Sequence, residues 1–143
     1  MNEAFYKRLY TVAFRLTGYE KAACELTTKT LFLVSEKIEK NNNYIQLENF
    51  KNISLKLIEV FIEEYNSSSI FNTNDICVLE DNSEKLQRAI LKLSPTCRAI
   101  IIWKDLLGFK LDEILHIIPI TKQELYKELN CSYRILKEFL SAS

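Results

Sequence analysis

Between two apolar-periodic stretches the chain carries Pro119-Ile120-Thr121, and this punctuation constrains its fold more than any other feature. Proline has no N–H and stops the helix before it. Thr121 with Glu124 three residues on fits a capping box and opens the next helix. The pattern predicts a short helix at 112–118, a tight turn, and a final helix at 122–140. That layout is a helix-turn-helix, a motif that usually holds out a rigid helix for reading DNA. With only 2 Gly and 2 Pro in 143 residues, little turn chemistry is left for a many-stranded β protein, so the chain reads as all-α.

Upstream, the helical period recurs. Phe5, Leu9, Val12 and Leu16 share one face of a helix at 2–16, which Gly18 stops. Ala23, Leu26, Thr30, Val34 and Ile38 line a second at 20–40, and Asn41-Asn42-Asn43 end it. Phe50, Ile53, Leu57, Phe61 and Tyr65 line a third at 47–65, with Ile58 and Ile62 widening the stripe. The stretch 67–82, rich in Ser, Asn and acids, reads as a linker. A second group of helices follows. Asp81 with Glu84 suggests a cap, and Leu86, Ile90 and Leu93 an inner stripe. Ser94-Pro95 gives an N-cap and first-turn proline to a helix carrying Ile101, Leu106 and Leu107 and ending at Gly108. The expectation is an N-terminal three-helix bundle over 1–66 and a C-terminal four-helix domain over 83–143.

Lys+Arg and Asp+Glu are 19 each, so the formal net charge is +0, whereas a dedicated non-specific nucleic-acid binder is usually basic. The excess is local: residues 84–143 hold 10 basic and 7 acidic side chains. Neutrality suits DNA binding inside a larger assembly. Cys24, Cys77, Cys97 and Cys131 are too scattered for a metal knuckle, and His116 is the one histidine, so no metal or other cofactor is expected. Free thiols and the lack of a signal-peptide core or membrane span point to a cytoplasmic protein without membrane partners. No catalytic constellation emerges: His116 has no orienting group, and Glu63-Glu64 and Asp112-Glu113 diverge because neighbours on a helix point about 100° apart. Trp103, in an Ile100-Ile101-Ile102 run, reads as core.

The final helix divides cleanly. Leu125, Leu129, Ser132, Leu136 and Phe139 form the inward stripe. Gln123, Lys127, Asn130, Arg134 and Glu138 lie opposite, flanked by Lys122 and Tyr126. These side chains suit phosphates and base edges, although a plain solvated helix face has the same pattern.

In both halves the sequence resembles the small, extracytoplasmic-function sigma factors of bacterial RNA polymerase. Leu9-Tyr10, Leu16-Thr17-Gly18 and Glu25-Leu26-Thr27-Thr28-Lys29-Thr30-Leu31 are similar to that family's Leu-Tyr, Leu-Thr-Gly and Asp-Leu-Val-Gln-Glu-Thr-Phe run. Leu93-Ser94-Pro95, Arg98, Gly108, Glu113-Ile114, Ile120-Thr121, Leu125 and Leu129 are similar to its promoter-reading helix-turn-helix. The resemblance implies sigma region 2-like and region 4-like domains, with core RNA polymerase and promoter DNA as partners and an anti-sigma protein as a further one. It implies no enzyme. By analogy Glu25, Leu26 and Lys29 mark the polymerase surface, and Lys122, Gln123, Tyr126, Lys127 and Arg134 the DNA contact.

Departures from the family pattern define a second expectation. The acidic Gln-Glu pair is Thr28-Lys29 here, and the helix that usually ends in arginines ends in Glu63-Glu64. Glu128 and Cys131 stand where cations are usual, and fewer cations release fewer counterions. Pro119 replaces a helix-ending glycine whose left-handed shape it cannot adopt, and Leu115 replaces a small alanine. A sigma-like protein that acts through protein contacts, without promoter recognition, would carry such changes.

Overall fold

The computed structural model describes residues 3–41, 47–67 and 85–141, with side chains at 3–35, 50–64 and 85–141. The chain divides into two compact units, Met1–Asn72 and Thr73–Ser143. Among the described residues all regular structure is helical. The expected linker, apart from Ser67, and the Asp81–Glu84 cap lie outside the described residues.

The first unit contains α1 (Glu3–Thr17), α2 (Glu20–Asn41) and α3 (Leu47–Ser67), each packed on the other two. The periodic stripes are its core: Phe5, Leu9, Val12, Leu16, Ala23, Leu26, Phe50, Ile53, Leu57, Ile58, Phe61 and Ile62 are all buried. Val34 is only half-buried, and the side chains of Ile38 and Tyr65 lie outside the described residues. Gly18, at φ 70°, ends α1 in the left-handed region that glycine adopts without a Cβ clash. Three buried threonine hydroxyls bond back along their own helices: Thr17, Thr27 and Thr30 donate to the carbonyls of Ala13, Ala23 and Leu26 at 2.8–2.9 Å, whereas the buried Ser54 Oγ finds no hydrogen-bond partner among the described residues. Phe5 meets Phe50 edge-on, and the Arg8 guanidinium lies 4.1 Å from the Phe50 ring centre.

Among its described residues the second unit joins four short pieces, α4 (Lys85–Leu91), α5 (Pro95–Ile101), a π-helical segment (Ile102–Leu106) and α6 (Leu111–Ile114), to one long helix, α7 (Lys122–Ser141). α4 and α5 both pack on α7. Ser94 caps α5 as expected, its Oγ accepting from the Cys97 N–H with Pro95 in the first turn. Arg98 is buried and donates to the carbonyls of Leu93 (3.0 Å) and Leu91 (3.2 Å), tying the α4–α5 turn shut. Trp103 is fully buried, as expected of core, and its indole N–H donates to the Lys110 carbonyl at 2.7 Å. Gly108, at φ 74°, turns the chain after the π-helical segment.

Three expectations fail here. Leu86 is an exposed side chain, and Gln87 is buried in its place, so the inner face of α4 is set one residue later. Leu106 is also exposed: the wider π turn rotates it outward from the face that the α-helical period assigns. The helix at 112–118 is only Leu111–Ile114, and residues 115–118 continue as turns. The residue before a proline is pushed out of the helical region, so Pro119 frays that last turn.

Candidate nucleic-acid interface

α7 begins as its sequence dictates. The Glu124 N–H donates to Thr121 Oγ1 at 3.1 Å, and the Thr121 N–H donates to Glu124 Oε2 at 3.4 Å, closing the box on both sides. Leu125, Leu129 and Ser132 are buried, and Leu136 and Phe139 are half-buried against the rest of the unit. This fixes the rotation of the helix. Its opposite face, Gln123, Lys127, Asn130, Arg134 and Glu138, is exposed, as are Lys122 and Tyr126.

The exposed residues are not equivalent. Lys122 Nζ lies 3.7 Å from Asp112 Oδ1, an ion pair spanning the turn between α6 and α7. An Arg134 guanidinium nitrogen lies 3.9 Å from Cys131 Sγ, one turn back on the same helix. Among the described residues no side-chain hydrogen bond or ion pair engages Gln123, Tyr126, Lys127 or Asn130. The face is thus mixed: two committed cations, one uncommitted cation, and two amides free to donate and accept.

Glu128 sits differently from the family pattern's cation. It is half-buried, and Cys97 Sγ donates to its Oε2 at 2.9 Å. The carboxylate faces α5, off the outer stripe of α7. Burial, then the Glu128 carboxylate, pushes the Cys97 thiol above its ordinary range, because both disfavour a thiolate there.

A polar knot missed by sequence reasoning anchors the middle of α7. The Tyr133 hydroxyl donates to Asp105 Oδ2 at 2.8 Å and accepts from Lys104 Nζ at 2.7 Å, while Lys104 also reaches Asp105. The hydrogen bond it donates to Tyr133 raises the Lys104 pKa, and burial raises that of Tyr133. The partners are 28 and 29 residues apart, and the π-helical segment presents them. No local pattern announces such a meeting.

In the first unit the three expected surface residues separate. Glu25 and Lys29 are exposed on α2, while Leu26 is buried in the core and is absent from that surface. Two departures from the family pattern meet: Lys29 Nζ donates to Glu64 Oε1, bridging α2 and α3. Nearby on α2, Phe32 is 76% exposed and Leu33 45%.

The fold has a solved counterpart. The chain is similar to the sigma factor RpoE of Bartonella quintana, solved in complex with the anti-sigma factor NepR, with a TM-score of 0.72 over 98% of this chain and 94% of that one. Sequence identity is 14%, so the likeness is one of fold. No protein-family profile and no curated protein sequence matches. The chain therefore has an all-α, sigma-like fold. Among the described residues no cluster of His, Cys, Asp and Glu is placed to hold a metal ion. No helix among them is long and apolar enough to cross a membrane.

Proposed function

We propose that the protein is a sigma-like transcription factor that docks core RNA polymerase through its first unit and presents α7 to promoter DNA. It performs no catalysis of its own. The observation that carries this reading is the outward face of α7, where Gln123, Lys127, Asn130 and Arg134 stand exposed on a helix whose rotation the core fixes. The sigma-like fold supports the assignment of partners. The exposed Glu25, Lys29 and Phe32 of α2 are the proposed polymerase-facing side chains. A cytoplasmic location follows from that role.

A second reading has its own support. The Lys29–Glu64 pair ties up two charges where the family pattern has an acidic pair and arginines, and the structural neighbour is bound to an anti-sigma factor. On that reading the protein binds polymerase or an anti-sigma-like partner without reading DNA.

Transcription in vitro separates the two, using the full chain, core polymerase and a genomic promoter library. Sequence-specific initiation supports the first reading; polymerase binding without initiation supports the second. In a gel-shift assay with polymerase present, Lys127→Ala and Arg134→Glu weaken promoter binding, and each lost phosphate contact lowers the salt dependence by about one counterion. Wild-type shifts by both variants refute the DNA-facing role of this stripe.

A further inference from the structure

We propose that Gln123 is the base-reading residue of α7, pairing with an adenine in the major groove, while Lys127 and Arg134 hold flanking phosphates; this rests on promoter DNA being the ligand of α7.

In a helix-turn-helix the first turns of the second helix meet the base edges. On α7 those turns offer few free groups. Leu125 is in the core, and Glu124 is held by both arms of its cap with Thr121. Lys122 is drawn toward Asp112 across the turn. That leaves Gln123, Tyr126 and Lys127 exposed and unengaged among the described residues. Of these, only Gln123 carries a donor and an acceptor in one planar group. Adenine presents N7 as acceptor and N6–H as donor in the major groove, which a carboxamide matches in two bonds. A lysine ammonium has donors alone, and a phenol hydroxyl matches either base edge with one bond. Gln123 breaks no internal hydrogen bond to reach a base.

Helix geometry assigns the others. At about 1.5 Å per residue, Lys127 lies roughly 6 Å along the axis from Gln123, and Arg134 roughly 16 Å. The major groove is about 12 Å wide. With Gln123 over the bases, Arg134 has passed the groove edge and faces backbone. All three fall within about 40° of one another around the helix, so one docking pose engages them together. With Gln123 over the middle of the groove its edge lies about 6 Å away, at Lys127, and Asn130, also an amide, lies roughly 10 Å along, past that edge.

The test is selection from a randomised duplex library by the full chain with core polymerase. Wild type should enrich a site with adenine fixed at one position. Gln123→Arg should move that position to guanine, whose O6 and N7 accept from a guanidinium. Gln123→Ala should lose discrimination at that position by roughly ten- to hundredfold and leave the others unchanged. Lys127→Ala should weaken binding with the preference intact. Circular dichroism checks that each variant folds, as substitution at an exposed side chain predicts. A preference indifferent to Gln123, or one that Asn130→Ala abolishes instead, overturns this assignment alone. A wild-type library that enriches no sequence overturns promoter reading and this assignment with it.

Discussion

In the first unit long helices bury the faces that hydrophobic periodicity dictates. In the second, short helical segments and the long α7 are fixed by named polar contacts as well. α1, α2 and α3 bury Leu9, Leu16, Leu57, Ile58 and Phe61, and their buried threonines each donate to a carbonyl one turn back on their own helix. The second unit adds the Ser94 cap, the Arg98 guanidinium on two carbonyls, the Trp103 indole on Lys110, the Thr121–Glu124 box and the Tyr133 knot. Helices of one or two turns bury too little to fix their own ends. Their geometry then depends on where backbone groups find partners. A domain that aims one helix outward has reason to be fixed this way, since aim depends on the ends.

The largest test of this contrast is Arg98. Replacing it by Met keeps most of the apolar stem but leaves the buried carbonyls of Leu91 and Leu93 without its hydrogen bonds. Bonds from a charged donor contribute about 1.5–3 kcal/mol each, so the loss of two is expected to cost about 3–6 kcal/mol. Trp103, the chain's one tryptophan, reports the second unit alone in a urea melt followed by fluorescence. Leu57→Ala in the first unit should cost about 2–5 kcal/mol and leave that fluorescence midpoint in place. If both variants shift the tryptophan transition equally, the units are not independent and the contrast collapses.

The same contrast explains what was legible in the sequence. Periodicity placed α1 to α3 within a residue or two and most of their core, because long helices average out local irregularity. Caps were legible at Ser94 and Thr121, since their residue types act over three positions. Leu86 and Leu106 were misplaced because a two-turn helix gives no reliable phase and a π turn changes the phase midway. Leu26 was taken for surface by family likeness, although its own periodicity put it inside. The outward stripe of α7 was readable; the Glu128–Cys97 contact and the Tyr133 knot were not, since each joins residues about thirty apart.

A smaller effect concerns alkaline pH. The folded-state pKa of Cys97 is raised, by burial first and Glu128 second. Its contribution is therefore fully present below the ordinary thiol range and is lost as pH climbs through the raised value. Lys104 and Tyr133 are raised too, so the second unit should lose stability as the pH rises above neutral. Among the described residues of the first unit the raised groups are Tyr6 and Tyr10, raised from the ordinary tyrosine range, which lies above that of a thiol. Between the thiol and tyrosine ranges, the Trp103 transition should fall and the first unit's helical signal should hold. Glu128→Gln should flatten that fall, because an amide accepts from the thiol without repelling a thiolate. An unchanged profile would remove Glu128 from the account.

Capping is smaller again. Thr121→Ala removes the acceptor for the Glu124 N–H, at an expected cost of about 1 kcal/mol. Ser94→Ala should cost a similar amount at α5. The two differ in consequence: the first loosens the start of α7, where Gln123 stands, and the second lies at the far side of the turn from α4. If α7 reads promoter DNA as proposed, affinity should drop more for Thr121→Ala than for Ser94→Ala at matched stability. Equal losses would mean that the aim of α7 is set by its packing alone.

The smallest effect is the Lys29–Glu64 pair, and it bears on the first unit's partner. The Lys29 side chain is 53% exposed and that of Glu64 28%, so the coupling in a double-mutant cycle of alanine variants should be under about 1 kcal/mol. A pair this weak does little for the fold, so the cycle's readout in binding matters more than its readout in stability. Exchanging the two, Lys29→Glu with Glu64→Lys, keeps the pair and restores the family's signs at both places. If the first unit docks polymerase through α2, the exchanged protein should bind core polymerase more tightly than wild type, because it regains the acid on that face. Lys29→Glu alone should place two carboxylates together and lower stability by a few tenths of a kcal/mol, yet gain binding as well. Unchanged polymerase binding in both variants would move the docking surface away from Lys29, leaving the exposed Phe32 and Leu33 as the part of α2 to test next.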